Sequence, residues 1–422
     1  MRQDYPITTT TTGNGIRVIV NPDPWVSAVA VNLWYDVGSA AEVPGRTGLA
    51  HLFEHLMFSG SAGVDNGEHL ALIQSLGGDT NATTSFDRTD YYDTIPAGAL
   101  DLALWLEADR LGTLLDRLDQ TKLDTQRAVV EEEKRLRYDN VPYGDAFAHL
   151  MDLCFGPAHR YGHTPIGHMV DLEAASLDDV RGFFRRHYHP ANLTIALAGA
   201  LTPDTAVQAV ERYFGRLGAP SPVPAVRSGR RLARLAGVPR RQVTADLPQD
   251  AVYCAWRVPA VTHPASDALS LGLSILTDGL AARFYRSLVV PGLADSVDAF
   301  DLGLRHGNSL VGLVATCDDG TSVAAMEDRL VAGVADLAQA GPTEAELARA
   351  KVAEERDWLS DLASPETRAE SLAEAAVTFG QADFVNRHLD QVNAVTADQV
   401  QAAVRTQLDP AHRGVLTYRR SA

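Results

Sequence analysis

The stretch VRGFFRRHYHPANLTIALAG, which starts at Val180, returns as VQAAVRTQLDPAHRGVLTYR starting at Val400. Val180 answers to Val400 and Pro190 to Pro410, an offset of 220 positions. Each copy reads as a helix, a proline that the helix cannot absorb, and then a strand. The halves also begin alike: SAVAVNLWYDVG and DAVYCAWRVPAV are strand patterns that each lead into a helix. Between them GAPSPVPAVRSGRRLARLAGVPRRQ is rich in Pro, Gly and Arg, as a linker is. A plan repeated at this distance predicts two homologous domains. The fold class expected is α+β: two α/β-roll domains, each an antiparallel-rich sheet packed with helices. Their expected bounds are 1–217 and 239–422, joined by a linker at 218–238.

Within the first half, two β-branched runs flank the turn signal Asn21-Pro22-Asp23-Pro24 and predict an opening hairpin. A helix follows in RTGLAHLFEHLMFSG, with Thr47 as its expected N-cap and Gly60 as its expected stop. Leu49, Leu52, Phe53 and Leu56 recur at helical spacing, so most of this helix should be buried. HLALIQSLGG reads as a short helix, DTNATTSFDRTDYYDTIP as strands and LDLALWLEADRLGTLL as a helix. A long charged helix is expected from about Leu123 to Tyr138.

The first of these helices carries His51, Glu54 and His55. Residues four apart share a helix face, so His51 and His55 can aim two imidazoles at one ion. Zn²⁺ takes nitrogen ligands of this kind and keeps an open position when catalytic. Glu54 can reach the ion's water without being a ligand. Chance would supply such a pattern only about 0.05 times in a chain of this composition. Two histidines and a carboxylate on a buried helix also need a partner to offset their desolvation. A third ligand can come from Glu131, Glu132 or Glu133. At roughly 100° per residue, Glu133 is centred on an apolar stripe of Val129, Val130 and Leu136. Glu131 then faces away and Glu132 lies at the edge, as members of a solvated charge run would. Gln126, two turns before Glu133, can face the site as a group that orients a ligand.

Composition removes other classes. The formal net charge of −17 disfavours nucleic acid and anionic membranes as partners. Cys154, Cys254 and Cys317 are far apart and read as buried small hydrophobes without disulfides. No apolar run is long enough for a transmembrane helix, and the first residues lack an apolar signal core. The expectation is a cytoplasmic protein, or a periplasmic or secreted one if a signal was removed before this numbering. No Gly-rich nucleotide loop or Gly-x-Ser-x-Gly elbow supports small-molecule redox or hydrolase chemistry.

HLFEH with Glu133 downstream resembles the inverzincin metallopeptidases of the pitrilysin/insulinase type. GGDTNATTSFDRTDYY, LDTQRAVVEEEKRLRYDNVPYG, YGHTPIGHMVDLEAASLDDVRGFFRRHYHPANLTIALAG and LAARFYRSLV follow in family order and spacing. The likeness covers nearly the whole chain and is to the short bacterial members, which look like mitochondrial processing peptidase subunits and assemble as dimers. It implies two domains forming half of a clam-shell chamber, and one zinc per chain on His51, His55 and Glu133. It implies Glu54 as general base and a substrate site at Phe53 and the strand around Asn81, Ala82 and Thr83, an open edge for β-augmentation. The family often has a glutamate seven positions before the metal glutamate, where this chain has Gln126. The family also grips substrate with an Arg and a Tyr of its second half, supplied by the partner subunit in two-chain members. Here the matching positions fall at Val289 and Asp295. The implied function is zinc-dependent endoproteolysis of peptides or short unfolded segments, by the catalytic chain of a heterodimer with a paralogous, non-catalytic chain. A homodimer using Tyr285 or Arg286 is the alternative assembly, and a non-catalytic partner subunit is the alternative role.

Overall fold

The computed structural model describes residues 4–218 and 231–421, so most of the expected linker, 219–230, lies outside the described residues. Two compact units share the chain: Met1–Glu133 with His163–Arg227 and Leu359–Arg387, and Lys134–Gly162 with Ser228–Trp358 and His388–Ala422. The first unit holds β1 (Thr8–Thr11), β2 (Arg17–Pro22), β3 (Ala28–Tyr35), β4 (Asp79–Thr84), β5 (Thr89–Pro96) and β6 (Leu193–Gly199). The second holds β7 (Arg240–Ala245), β8 (Ala251–Pro259), β9 (Ala294–Asp301), β10 (Asn308–Cys317) and β11 (Gly414–Arg420). The sheet orders are β1-β2-β6-β3-β5-β4 and β7-β11-β8-β10-β9. With β1 set aside, the two orders are the same. In each, the last strand lies parallel to the first and antiparallel to the second. The chain is α+β with one plan used twice.

The opening hairpin is not formed as expected: β6 is inserted between β2 and β3. Every residue of LTIALAG in β6 is buried, and a strand apolar on both faces belongs in the middle of a sheet. The β2–β3 connection closes over its end, where Asp23 N donates to Gly199 O (2.7 Å) and Ala200 N to Ala28 O (3.0 Å). Gly199 has φ +128, and a Cβ there would stand 2.2 Å from Ala28 O, so only glycine fits this closure. The first hairpin is instead β1–β2, with Thr8 opposite Val20 and Thr11 opposite Arg17.

The helices include α1 (Leu49–Leu56), α2 (Glu68–Ser75), α3 (Leu100–Arg117), α4 (Gln120–Lys134), α5 (Ala146–Phe155), α6 (Leu177–His187), α7 (Pro365–Thr378) and α8 (Ala397–Gln407). The repeat seen in sequence extends to their caps. Ser176 and Asp179 form a capping box on α6, and Thr396 and Gln399, 220 positions on, form one on α8. Short 3₁₀ turns follow at Pro190–Asn192 and Pro410–His412.

The units are not simply the two halves of the chain. Helix α5, encoded in the first half, packs on β7, β8 and β11, while α7, encoded in the second, packs on β2, β3, β5 and β6. Ala146 and Glu366 differ by 220, so the exchanged helices are repeat equivalents. Each sheet therefore buries a face against a helix from the other half. All three cysteines are buried and free. Among the described residues no helix is long and apolar enough to cross a membrane.

Candidate metal centre

Leu49, Leu52, Phe53 and Leu56 are all buried, as their spacing predicts. The ends of α1 differ from expectation. The N-cap position is Gly48 (φ +89), not Thr47, and the last helical residue is Leu56, four before Gly60. Thr47 is engaged elsewhere: its Oγ1 donates to Asp171 Oδ2 (2.7 Å) and accepts from His168 N (2.9 Å). The first turn of α1 is capped from a distance by Glu42, whose Oε2 accepts Gly48 N and whose Oε1 accepts Ala50 N, both at 2.8 Å.

His51 and His55 leave α1 one turn apart, their ring centroids 4.9 Å from each other. Glu133, near the end of α4, meets both: its Oε2 lies 3.5 Å from His51 Nε2 and 3.2 Å from His55 Nε2. Two donors about 2.1 Å from a tetrahedral ion stand roughly 3.4 Å apart, so these separations suit a zinc ion shared among the three. One donor atom from each residue can be chosen so that all three lie within 4.8 Å of one another. His55 Nε2 is buried and makes no hydrogen bond, as a metal-directed nitrogen would. The side chains are 11 %, 21 % and 17 % exposed, so the group is reachable from solvent.

Glu131 and Glu132 are exposed while Glu133 is half-buried. The stripe that predicted this is largely absent, because Val129 is 43 % and Leu136 58 % exposed. Leu123 and Val130 are the buried residues of α4. A π-helical turn over Arg135–Asp139 then shifts the phase before Leu136 can extend that seam. Glu133 thus faces the two histidines without the expected apolar stripe around it. Gln126 is half-buried two turns earlier.

Glu54 stands beside His55 on α1, half-buried. Burial pushes its carboxyl above the ordinary glutamate range; the Thr84 hydroxyl and His55 act to lower it, and the charges of Glu133 and Asp90 to raise it. Thr84 closes β4, which pairs with β5 alone and so presents one unpaired edge. Asn81 is exposed, Ala82 buried and Thr83 half-buried. Ala82 N donates to the Asn81 side-chain oxygen (2.9 Å). Phe53 does not belong with them. It is fully buried, with its ring centroid 5.6 Å from those of Phe183 and Phe184 and 5.3 Å from that of Tyr188, so it is a core residue that substrate cannot touch.

Two groups carry no local sequence signal and were missed. One is Glu42 with its partner His163, whose Nε2 is 2.9 Å from Glu42 Oε2. The other is a buried cluster of His69 on α2, Asp93 on β5, and Glu107 and Arg110 on α3. His69 Nε2 lies 3.6 Å from Asp93 Oδ1 and 3.7 Å from Glu107 Oε1. Arg110 donates to Glu107 from Nε (2.8 Å) and Nη2 (2.5 Å). Two carboxyls share one guanidinium, and burial lifts Glu107 to about 8, with Asp93 adding to the rise against Arg110.

The chain is similar to known peptidases. Residues 17–142 match the model of the insulinase family of peptidases, M16, and 174–353 that of the M16 inactive domain. A zinc protease of Mycobacterium leprae, itself uncharacterized, is 30% identical over 409 residues, covering 95% of this chain and 89% of that one. The zinc protease PqqE of Helicobacter pylori is 28% identical over 391 residues, covering 89% and 85%. A probable mitochondrial-processing peptidase subunit beta of Arabidopsis thaliana is 25% identical over 412 residues, covering 93% and 74%. A crystal structure of a protease from Helicobacter pylori superposes with a TM-score of 0.92 at 24% identity, covering 99% of this chain and 100% of that one. On these relatives and this arrangement of two histidines and two glutamates, the chain belongs to the insulinase (M16) family of peptidases.

Proposed function

We propose that the protein is a zinc-dependent endopeptidase acting on peptides or short unfolded segments. The observation that carries this reading is the meeting of His51, His55 and Glu133 at separations that suit one tetrahedral ion, with Glu54 beside them. A zinc ion bound there would supply Lewis acidity, which makes water a nucleophile at neutral pH and draws charge from a carbonyl. Glu54 would take a proton from the attacking water and return it to the departing amine. The unpaired edge of β4 would hold the substrate main chain extended, with Asn81 and Thr83 beside it and Ala82 leaving room for the approach.

Glu54→Gln should keep its zinc and lose about 10²–10⁴-fold in turnover. Glu133→Gln should lower zinc occupancy. Emptying of the site by Glu54→Gln but not by Glu133→Gln would reverse these roles.

The chain would act as the catalytic member of a pair. Val289 lies in the π-helical turn Tyr285–Val289 and Asp295 in β9, and neither offers the guanidinium or phenol that family members bring to substrate. A paralogue without His-x-x-Glu-His but with that Arg and Tyr would supply them. Assay of the purified chain with and without such a paralogue tests this. Full turnover by the lone chain, unchanged by the partner, rejects it.

A further inference from the structure

An eight-residue helix is too short to be stable alone, and α1 carries both proposed histidine ligands within its first two turns. Something outside the helix has to fix where it begins and how it is rotated. Gly48 has no side chain to do this. The Glu42 carboxylate takes that place, accepting Gly48 N and Ala50 N on separate oxygens, with Ala50 directly before His51. Its side chain is fully buried, and His163 Nε2 stands 2.9 Å from the oxygen that serves Gly48. Burial pushes the carboxyl upward, while His163 and the two backbone donors hold it down.

The segment carrying His163 grips the same turn at further points. Asp171 accepts from both the N–H and the hydroxyl of Thr47, at 3.1 and 2.7 Å. Gly167 (φ +70) lies so close that a Cβ there would be 2.4 Å from Gly48 N. A Cβ on Gly48 would in turn meet Ile166 O at 2.9 Å. The helix start is thus clasped by a collar, residues 163–171, that leaves no room for another register.

We infer that Glu42, braced by His163, is a positioning residue that sets the start and rotation of α1 and thereby the geometry of the His51–His55–Glu133 metal site. A carboxylate suits this place because it offers an acceptor to each N–H and complements the positive end of the helix. An amide at the same position keeps one acceptor and turns an NH₂ group toward the other N–H. The helix then shifts or frays at the turn that bears His51. The inference rests on the zinc reading proposed above.

The test measures zinc affinity by competition with a chromogenic chelator, and kcat and KM on an unstructured peptide. The variants are Glu42→Gln, Glu42→Asp and His163→Ala, with Val210→Ala as a control that lowers stability from a buried position on the separate helix Pro203–Phe214. Glu42→Gln is expected to weaken zinc binding about 10–100-fold and to lower kcat with KM little changed. His163→Ala should do the same to a smaller degree, and Glu42→Asp should recover part of the loss. Val210→Ala should lower the thermal midpoint and leave zinc affinity intact. If Glu42→Gln does not fold, His163→Ala carries the test. Wild-type zinc affinity in the variants that fold overturns the inference while leaving the metal site standing, as does an equal loss in Val210→Ala. A wild-type chain whose zinc binding ignores Glu133→Gln overturns the site itself.

Discussion

Phe53 sits between His51 and His55 in sequence, yet the structure makes it a core residue, and replacing it separates packing from substrate contact. Its ring is fully buried and lies within 5.6 Å, centroid to centroid, of Phe183, Phe184 and Tyr188. Burying a phenylalanine side chain contributes about 1.5–3 kcal/mol by transfer alone. Emptying the site to alanine adds the cavity left behind, for a total of about 3–5 kcal/mol. That is a large share of the roughly 5–15 kcal/mol that holds a folded domain together. Phe53→Ala should therefore move the urea transition of the first unit by about that amount, read in chelator so that metal binding does not mask the change. Phe53→Leu keeps most of the volume, should cost about 1 kcal/mol, and is the variant to assay for activity. Its KM for an unstructured peptide should match wild type. A KM raised tenfold or more, with the urea transition unmoved, would refute the reasoning and return Phe53 to the substrate.

Glu131→Gln and Glu132→Gln should keep at least half of wild-type zinc and turnover by metal analysis and peptide assay, since both carboxyls are exposed on α4; loss of metal in either would shift the ligand off Glu133. The Asp93 cluster should make the first unit pH-sensitive. A carboxyl lifted to about 8 when folded, as Glu107 is, contributes its full stability below the ordinary glutamate range and loses it as pH rises through that value. His69, lowered by burial, acts in the opposite sense, so the measurement is a difference between proteins. Asp93→Asn should raise the thermal midpoint at about pH 8 relative to its value at about pH 5, compared with wild type in chelator, and an unchanged difference would discount the cluster. Gly199→Ala should destabilise the first unit by more than 1 kcal/mol in urea, because its Cβ would meet Ala28 O at 2.2 Å.

What the sequence revealed was local. His51, Glu54 and His55 could be read because four residues make one helical turn, and the repeat because Val180 and Val400 open the same helix–proline–strand order. Glu133 is singled out by a stripe that the π-helical turn at Arg135–Asp139 interrupts; the histidines it meets lie on α1, far away in sequence. The hairpin was misread because turn residues and alternation at Asn21–Pro24 say nothing of a strand made 170 residues later. Thr47 reads as a cap because the group that engages its hydroxyl instead, Asp171, is 124 positions away. The collar and the buried cluster are likewise built from distant polar residues, and no periodicity announces them.

The exchange of α5 and α7 bears on how the protein is made. A ribosome that has completed β6 has produced all six strands of the first sheet, but the helix that packs on β3 and β6 begins only at Pro365. By then β7 to β10 have also emerged, and β7 and β8 already have α5 to pack against. The first sheet spends the intervening synthesis with an apolar face in water, where such surfaces invite aggregation or capture by chaperones. The unit that bears the candidate metal site is begun first, yet its sheet waits for α7 to be covered.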